Sequence, residues 1–242
     1  IKQPEDYILQ PLFTSLGFVI SGLIALYYIL GRWGIKLQKP NWTATLKTIK
    51  GSTDVFINNL APNLYNSFST VLLGFFGGGV ANGIYDGGAK FFNIGNQLLH
   101  IFTRTFFPFL SRRPDKHGQF VVISLSVSIL MALALFIAAP WLIKIILSPE
   151  FSDSVIVLRI LAVSYIFLSL SDIYGSCYLI VNKHERLLRK ITLYCSFAGF
   201  FLAWPLVYYF SYVGAALTVV SSRFLLGIFT TIAAKRMINK NK

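Results

Sequence analysis

Long apolar runs separated by short polar segments dominate the chain. Runs of about 20 residues, the length that crosses a bilayer as a helix, occupy residues 7–31, 119–148, 155–182, 190–211 and 213–234, and weaker runs occupy 53–76 and 83–110. The pattern predicts an all-α integral membrane protein with seven transmembrane helices.

The two weaker runs carry polar residues on one side. At about 100° per residue, a face roughly 60° wide in the run 83–110 holds Asp86, Lys90, Asn93, Gln97 and Arg104. A similar face in the run 53–76 holds Asn59, Asn63, Asn66 and Thr70. Ionisable groups at membrane depth are costly unless they face protein or water. We therefore expect both polar stripes to border a water-filled cavity.

Composition supports a membrane protein and offers little for catalysis. Hydrophobic residues make up 55% of the 242 residues and charged residues only 13%, about half the charged share of soluble domains. Cys177 and Cys195 lie inside predicted helices, without disulfide or metal-ligand spacing. The chain has no HExxH, Walker A or GxSxG motif. We predict no catalytic residues, no metal, no cofactor and no enzyme activity.

The net charge of +13 is explained by the membrane topology of the chain and does not indicate nucleic-acid binding. Basic residues concentrate in alternate loops, 32–50, 112–116 and 183–190, and in the tail 235–242, while the other loops are short and hold few charges. By the positive-inside rule the C-terminus is cytoplasmic and Ile1 is outside. The chain starts without an initiator Met or a signal peptide. We therefore expect an upstream part with an odd number of crossings.

Several ionisable side chains within the apolar runs have two possible roles. Arg223 is central in the predicted seventh helix, which favours a cavity or an internal partner such as Asp172. Asp86 and Lys90 could instead form an i,i+4 ion pair, and Arg104 could extend to the cytoplasmic headgroups. His100 could shuttle protons or serve as a hydrogen-bonded packing residue.

Residues 56–112 include the motifs LLGFF at 72–76, GIYDGGAK at 83–90 and PFLSR at 108–112. With these motifs the segment resembles polysaccharide flippases of the O-antigen (Wzx) type. The later runs VLRILAVSYIFLSLSDIYGSCYLIVNKHERLL and YVGAALTVVSS also fit this family. The similarity extends over nearly the whole chain, but its motifs are diffuse.

The resemblance implies the architecture of the multidrug/oligosaccharidyl-lipid/polysaccharide exporter superfamily, with twelve helices in two six-helix lobes. Residues 1–31 would then be the last helix of the N-terminal lobe, 32–52 a cytoplasmic linker, 53–236 the MATE-like C-terminal lobe and 237–242 a basic tail. The protein would lie in the bacterial inner membrane. Its partners would be membrane lipids, the missing N-terminal lobe and polysaccharide assembly proteins, with no nucleic acid.

The implied substrate is an undecaprenyl-pyrophosphate-linked oligosaccharide, turned from the cytoplasmic to the periplasmic leaflet by alternating access. Cations would offset the desolvation of the pyrophosphate and amides would bond sugar hydroxyls. The candidate substrate-binding residues are Lys90, Arg104, Arg223, Asn59, Asn63, Asn66, Asn93 and Gln97. Asp172 and Asp86 are candidates for ion coupling. Relatives commonly have an acidic residue directly before the lysine of GIYDGGAK, where this chain has Ala89.

Other functions remain open at the level of the sequence. A MATE-like antiporter for cationic drugs would need a net acidic cavity. A membrane polysaccharide polymerase or ligase would need a large periplasmic loop, whereas the predicted outer loops are only a few residues long. A structural subunit would use the polar stripes to pack against partner helices.

Overall fold

The computed structural model describes residues 9–34, 41–113 and 116–240, and all the regular structure in these ranges is helical. The helices are α1 (Leu9–Tyr27, extended by a π turn, Tyr28–Arg32), α2 (Trp42–Arg112), α3 (His117–Ile146), α4 (Ser154–Ser171) and α5 (Glu185–Lys240). A short 3₁₀ turn, Pro149–Phe151, precedes α4. After α4 the chain continues as a nine-residue π-helix, Asp172–Ile180, which we call the π segment.

The chain divides into two compact units, Ile1–Gly51 and Ser52–Lys242. The described residues contain five helices that are long and apolar enough to cross a membrane. The protein is therefore an all-α, multi-pass membrane protein, and the count of seven crossings stays a prediction.

Helix α2 folds back on itself at Gly78. Its 71 residues would extend about 105 Å at 1.5 Å per residue, far beyond the 30 Å or so of a bilayer core. Gly78 has φ 73° and ψ −174°, a conformation that glycine adopts without a Cβ clash. A Cβ on Gly74 would lie 3.0 Å from Nδ2 of Asn82, although these residues would be about 12 Å apart along a straight helix. We call residues 42–77 the first arm of α2 and residues 79–112 its second arm.

Helix α5 forms a second hairpin, at Ser211, where φ is 50° and ψ is −128°. A Cβ on Gly214 would collide with the carbonyl group of Leu206, so the two arms, residues 185–210 and 212–240, approach closely. Small residues permit such contacts between helices in membranes. Ser211 lies at the boundary of the apolar runs 190–211 and 213–234, as the sequence pattern predicts. Between the runs 53–76 and 83–110 the break is shorter than the gap in the pattern, because helix resumes directly after Gly78.

Helix α4 packs against α3, α5 and the second arm of α2. Gly88 lies against Val157 and Gly95 against Tyr165, and both α4 residues are fully buried. An apolar cluster joins residues of the π segment, among them Ile173 and Leu179, to Leu110 and Phe120.

The predicted linker 32–52 is helical from Trp42 onward, and its residues 35–40 lie outside the described ranges. One local feature differs from the sequence prediction. The predicted helix 155–182 is α-helical only to Ser171 and then becomes the π segment. Apolar periodicity does not predict the π segment, because a π-helix changes the hydrogen-bond register while the residues stay equally apolar.

Candidate functional site

Two cavities of the second unit share Asn66 and Arg223 in their linings. The first, which we call the His100 cavity, has a volume of about 350 Å³ and lies between both arms of α2, α4, the π segment and α5. The second, which we call the hairpin cavity, has a volume of about 330 Å³ and is lined mainly by the two arms of α2. Asn66 and Arg223 line both cavities. The fold-back at Gly78 thus brings residues of both predicted polar stripes, such as Asn66 and Asn93, onto one space.

Arg223 is the buried cation between the cavities. It is only 9% exposed, its Nη1 donates a hydrogen bond of 2.9 Å to Oγ of Ser164, and its guanidinium lies 4.7 Å from the centre of the Phe92 ring. Within the described ranges, no carboxylate forms an ion pair with it. A buried charge with only neutral partners favours an anion in the adjacent space.

The aromatic rings of Phe92 and Tyr165 stack next to Arg223. The two rings stack with centres 4.7 Å apart and planes 20° apart. The Tyr165 hydroxyl donates a hydrogen bond of 2.6 Å to the carbonyl oxygen of Phe92. A Cβ on Gly95 would collide with that hydroxyl, so glycine is needed at this position. Phe92 therefore contacts both the guanidinium and the phenol ring, and these contacts help to position Arg223.

The His100 cavity contains a histidine–carboxylate pair. Nδ1 of His100 lies 3.4 Å from Oδ2 of Asp172, and their side chains are 41% and 16% exposed. Asp172 begins the π segment, so the pair joins this segment to the second arm of α2. Glu185 and Asn96 line the same cavity, and the buried Oδ1 of Asn96 has no hydrogen-bond partner.

The hairpin cavity is rich in amide and hydroxyl groups. Its polar lining comprises Asn63, Asn66, Ser67, Thr70, Tyr85, Asp86, Asn93 and Arg223. Amides both donate and accept hydrogen bonds, which suits a ligand with many hydroxyl groups. No cluster of three or more potential metal ligands is present in the described part of the chain.

The predicted site residues divide into two sets. Asn63, Asn66, Asn93, Asp86 and Arg223 line the hairpin cavity, and Asp172 lines the His100 cavity. Lys90, Gln97 and Arg104 are exposed and line neither cavity. Asn59 lies in α2, but its side chain is outside the description. Among the described residues no ion pair joins Asp86 to Lys90, and Arg223 contacts Ser164 rather than Asp172.

Only part of the predicted stripe on the second arm lines a cavity: Asp86 and Asn93 line the hairpin cavity, whereas Lys90, Gln97 and Arg104 line neither cavity. All five stripe residues are exposed, whereas Gly88 and Gly95, roughly 180° away around the helix, pack against α4. The cavities lie between these two faces, on the side of Ala89, Asn96 and His100. Sequence reasoning missed Asn96 as a lining residue. The glycine spacing is a signal that could have located the packed face and hence the cavity side.

Sequence reasoning also missed Tyr65, Ser164 and Thr192. Tyr65 and Thr192 line the His100 cavity, and Ser164 holds Arg223. Single Tyr, Ser and Thr residues are common in apolar helices, so their type and spacing carry no distinct signal.

Comparisons with known proteins agree with the resemblance. Residues 1–113 match a family described as "Polysaccharide biosynthesis protein". The chain is 24% identical over 233 residues to a protein of Escherichia coli (strain K12) named "Putative O-antigen transporter", covering 93% of this chain and 56% of that protein. It is 24% identical over 241 residues to a protein of the same name from Shigella dysenteriae, covering 97% of this chain and 61% of that protein.

The chain thus spans little more than half the length of these two curated relatives. No solved structure matches it. The matches confirm the predicted resemblance to polysaccharide flippases of the O-antigen type.

Proposed function

We propose that this protein is a flippase that turns an undecaprenyl-pyrophosphate-linked O-antigen or other polysaccharide unit from the cytoplasmic to the periplasmic leaflet of the bacterial inner membrane. The observation that carries the proposal is Arg223, a buried cation without a carboxylate partner among the described residues, placed between two cavities with polar linings. The similarity to proteins named as O-antigen transporters supports the same class of substrate.

The proposed topology has seven crossings and a cytoplasmic C-terminus. Helices α2 and α5 each contribute two crossings, because each is far longer than a bilayer core and folds back at Gly78 or Ser211. The two turns lie together: a Cβ on Gly77 would be 3.0 Å from Oγ of Ser211. Residues 53–236 then form one six-helix lobe, and transport by alternating access requires the second lobe.

We expect different residues to bind the two polar parts of the substrate, its pyrophosphate and its sugars. Arg223 binds the pyrophosphate through charge-assisted hydrogen bonds, and the amides of the hairpin cavity bind sugar hydroxyls. Lys90, Gln97 and Arg104, on the exposed side of the second arm, face the space between the lobes and meet the substrate there. Ion movement drives the cycle, with Asp172 and Asp86 as the candidate carriers.

Flipping of a fluorescent undecaprenyl-pyrophosphate oligosaccharide in proteoliposomes that contain this chain together with the N-terminal lobe tests this function. Arg223→Gln removes a charge-assisted contact of up to about 3 kcal/mol, so we expect a flipping rate about 100-fold lower at limiting substrate. Arg159→Gln is the matched control, because Arg159 also donates one hydrogen bond, in its case to the carbonyl oxygen of Phe136 at 3.3 Å, and its guanidinium lies 5.1 Å from the centre of the Phe136 ring, but it lines neither cavity.

Native flipping by correctly inserted Arg223→Gln protein would contradict the proposal, as would an equal loss in Arg159→Gln. Lys90→Gln and Arg104→Gln extend the experiment to the exposed stripe. We expect partial losses from both, since each contributes one cation along the same route.

A MATE-like antiporter for cationic drugs is a second candidate. Asp172 and Glu185 both line the His100 cavity, which gives that cavity the acidic groups such a substrate requires. Efflux of ethidium from cells expressing the protein, lost in Asp172→Asn, would favour this function over the flippase.

A further inference from the structure

We propose that His100 and Asp172 form a proton-binding site whose occupancy decides whether Arg223 is available to an anionic ligand in the hairpin cavity. The inference deepens the proposed function and rests on it for the identity of the anion, a lipid pyrophosphate. It selects the proton as the coupling ion and Asp172 rather than Asp86 as its site.

Charged groups of both signs line the His100 cavity. Its lining contains two carboxylates, Asp172 and Glu185, and one permanent cation, Arg223. The imidazole of His100 contacts Asp172 at 3.4 Å, and an imidazole gains and loses its proton in the physiological pH range. A protonated His100 therefore neutralises the carboxylate that it touches.

Loss of the His100 proton leaves Asp172 without its counter-charge. A carboxylate that is only 16% exposed is strongly destabilised without a counter-charge. Arg223 lines the same cavity and has no carboxylate partner within the described residues. Deprotonation thus draws Asp172 and Arg223 together, at the expense of the Arg223 contact with Ser164.

Arg223 couples the two cavities. Arg223 also lines the hairpin cavity, so a guanidinium engaged by Asp172 is withdrawn from an anion bound there. Proton binding and anion binding therefore favour each other, and by thermodynamic reciprocity each raises the affinity for the other by the same factor.

The π segment supplies the freedom that this exchange needs. Asp172 is its first residue, and π-helical turns within α-helices are often found at functional sites. A return of the first turn to α-helical hydrogen bonding would rotate Asp172 around the helix axis relative to His100. Among the described residues, other titratable or charged groups near this pair include Arg104, one turn after His100 in α2, Tyr65 and Glu185 in the cavity lining, Cys177 beside Asp172, and His117, whose Nε2 lies 3.3 Å from the carbonyl oxygen of Ile173.

Binding of farnesyl pyrophosphate to the purified protein in nanodiscs, measured by calorimetry between pH 5.5 and 8.5, tests the proposal. We expect native affinity to fall by about tenfold or more as pH rises, with about one proton taken up per ligand bound at intermediate pH. The variants Asp172→Asn and His100→Gln should change the affinity in opposite directions. Asp172→Asn leaves Arg223 free, so binding should be tight at every pH. His100→Gln leaves Asp172 to hold Arg223, so binding should be weak at every pH.

Matched controls separate this proposal from the proposed function. His184→Gln changes a histidine outside both cavities and should keep the native pH profile. If Arg223→Gln abolishes binding while His100→Gln keeps the native profile, the proton site is wrong and the flippase proposal stands. If the native protein does not bind farnesyl pyrophosphate at any pH, both are contradicted. An affinity that follows sodium concentration and not pH would also overturn the proton site.

Discussion

Phe92 offers a direct test of how the bundle holds its buried cation. Its ring contacts both the Arg223 guanidinium and the Tyr165 ring, and the side chain is 2% exposed. Phe92→Leu keeps most of the apolar volume but removes the aromatic face. We therefore expect the loss of two specific interactions rather than the opening of a large cavity.

The expected magnitude follows from these two contacts. A desolvated cation–π contact contributes about 2 kcal/mol, and a stacked ring pair contributes about 1 kcal/mol. Phe92→Leu should thus lower the free energy of unfolding by about 3 kcal/mol. A double-mutant cycle of Phe92→Leu with Arg223→Gln should give a coupling energy of about 2 kcal/mol.

The assay is reversible unfolding in mixed micelles, followed by tryptophan fluorescence. Phe102→Leu is the control, because Phe102 also packs against aromatic rings, those of Phe106 and Phe120, with no guanidinium in contact among the described residues. Its cycle with Arg223→Gln should give no coupling beyond about 0.5 kcal/mol. Equal coupling energies in the two cycles would refute a specific contact between Arg223 and Phe92.

Two further predictions concern packing and water access. Gly95→Ala should lower stability by about 1–3 kcal/mol in the same unfolding assay, because its methyl group meets the Tyr165 hydroxyl, whereas Gly79→Ala, with open space around its Cβ, should stay near native stability. In protein whose native cysteines are replaced by alanine, Asn66→Cys should react with a charged thiosulfonate in intact membranes, because Asn66 lines both cavities. Leu130→Cys, 71% exposed on an apolar helix, should not react there if it faces lipid.

The helical class and several turn positions follow from the sequence because they depend on local properties. Apolar length predicts the spans, and the break at Ser211 lies where the apolar runs are interrupted. Arg223 was singled out because a central charge in such a run needs a compensating environment, and it lies between the cavities.

The face that lines the cavities depends on packing and was only partly predictable. A stripe at 100° per residue identifies a polar side but not the neighbour that it meets. On the second arm of α2, contacts of Gly88 and Gly95 with α4 set the rotation of the helix. Lys90 and Arg104 consequently lie outside the cavity linings, while Asn96 and His100 enter one of them. The His100–Asp172 pair joins residues 72 positions apart, a contact that no local pattern encodes.

Photocrosslinking of the lipid-linked oligosaccharide in native membranes tests the central claim most directly. A benzoylphenylalanine at Thr70, in the hairpin cavity lining, should crosslink to radiolabelled undecaprenyl-pyrophosphate oligosaccharide, and Arg223→Gln should abolish the product. The same probe at Val122, 65% exposed on α3, should give only background. Equal labelling at Thr70 and Val122, or labelling at Thr70 that survives Arg223→Gln, would contradict a substrate path through the cavity that Arg223 borders.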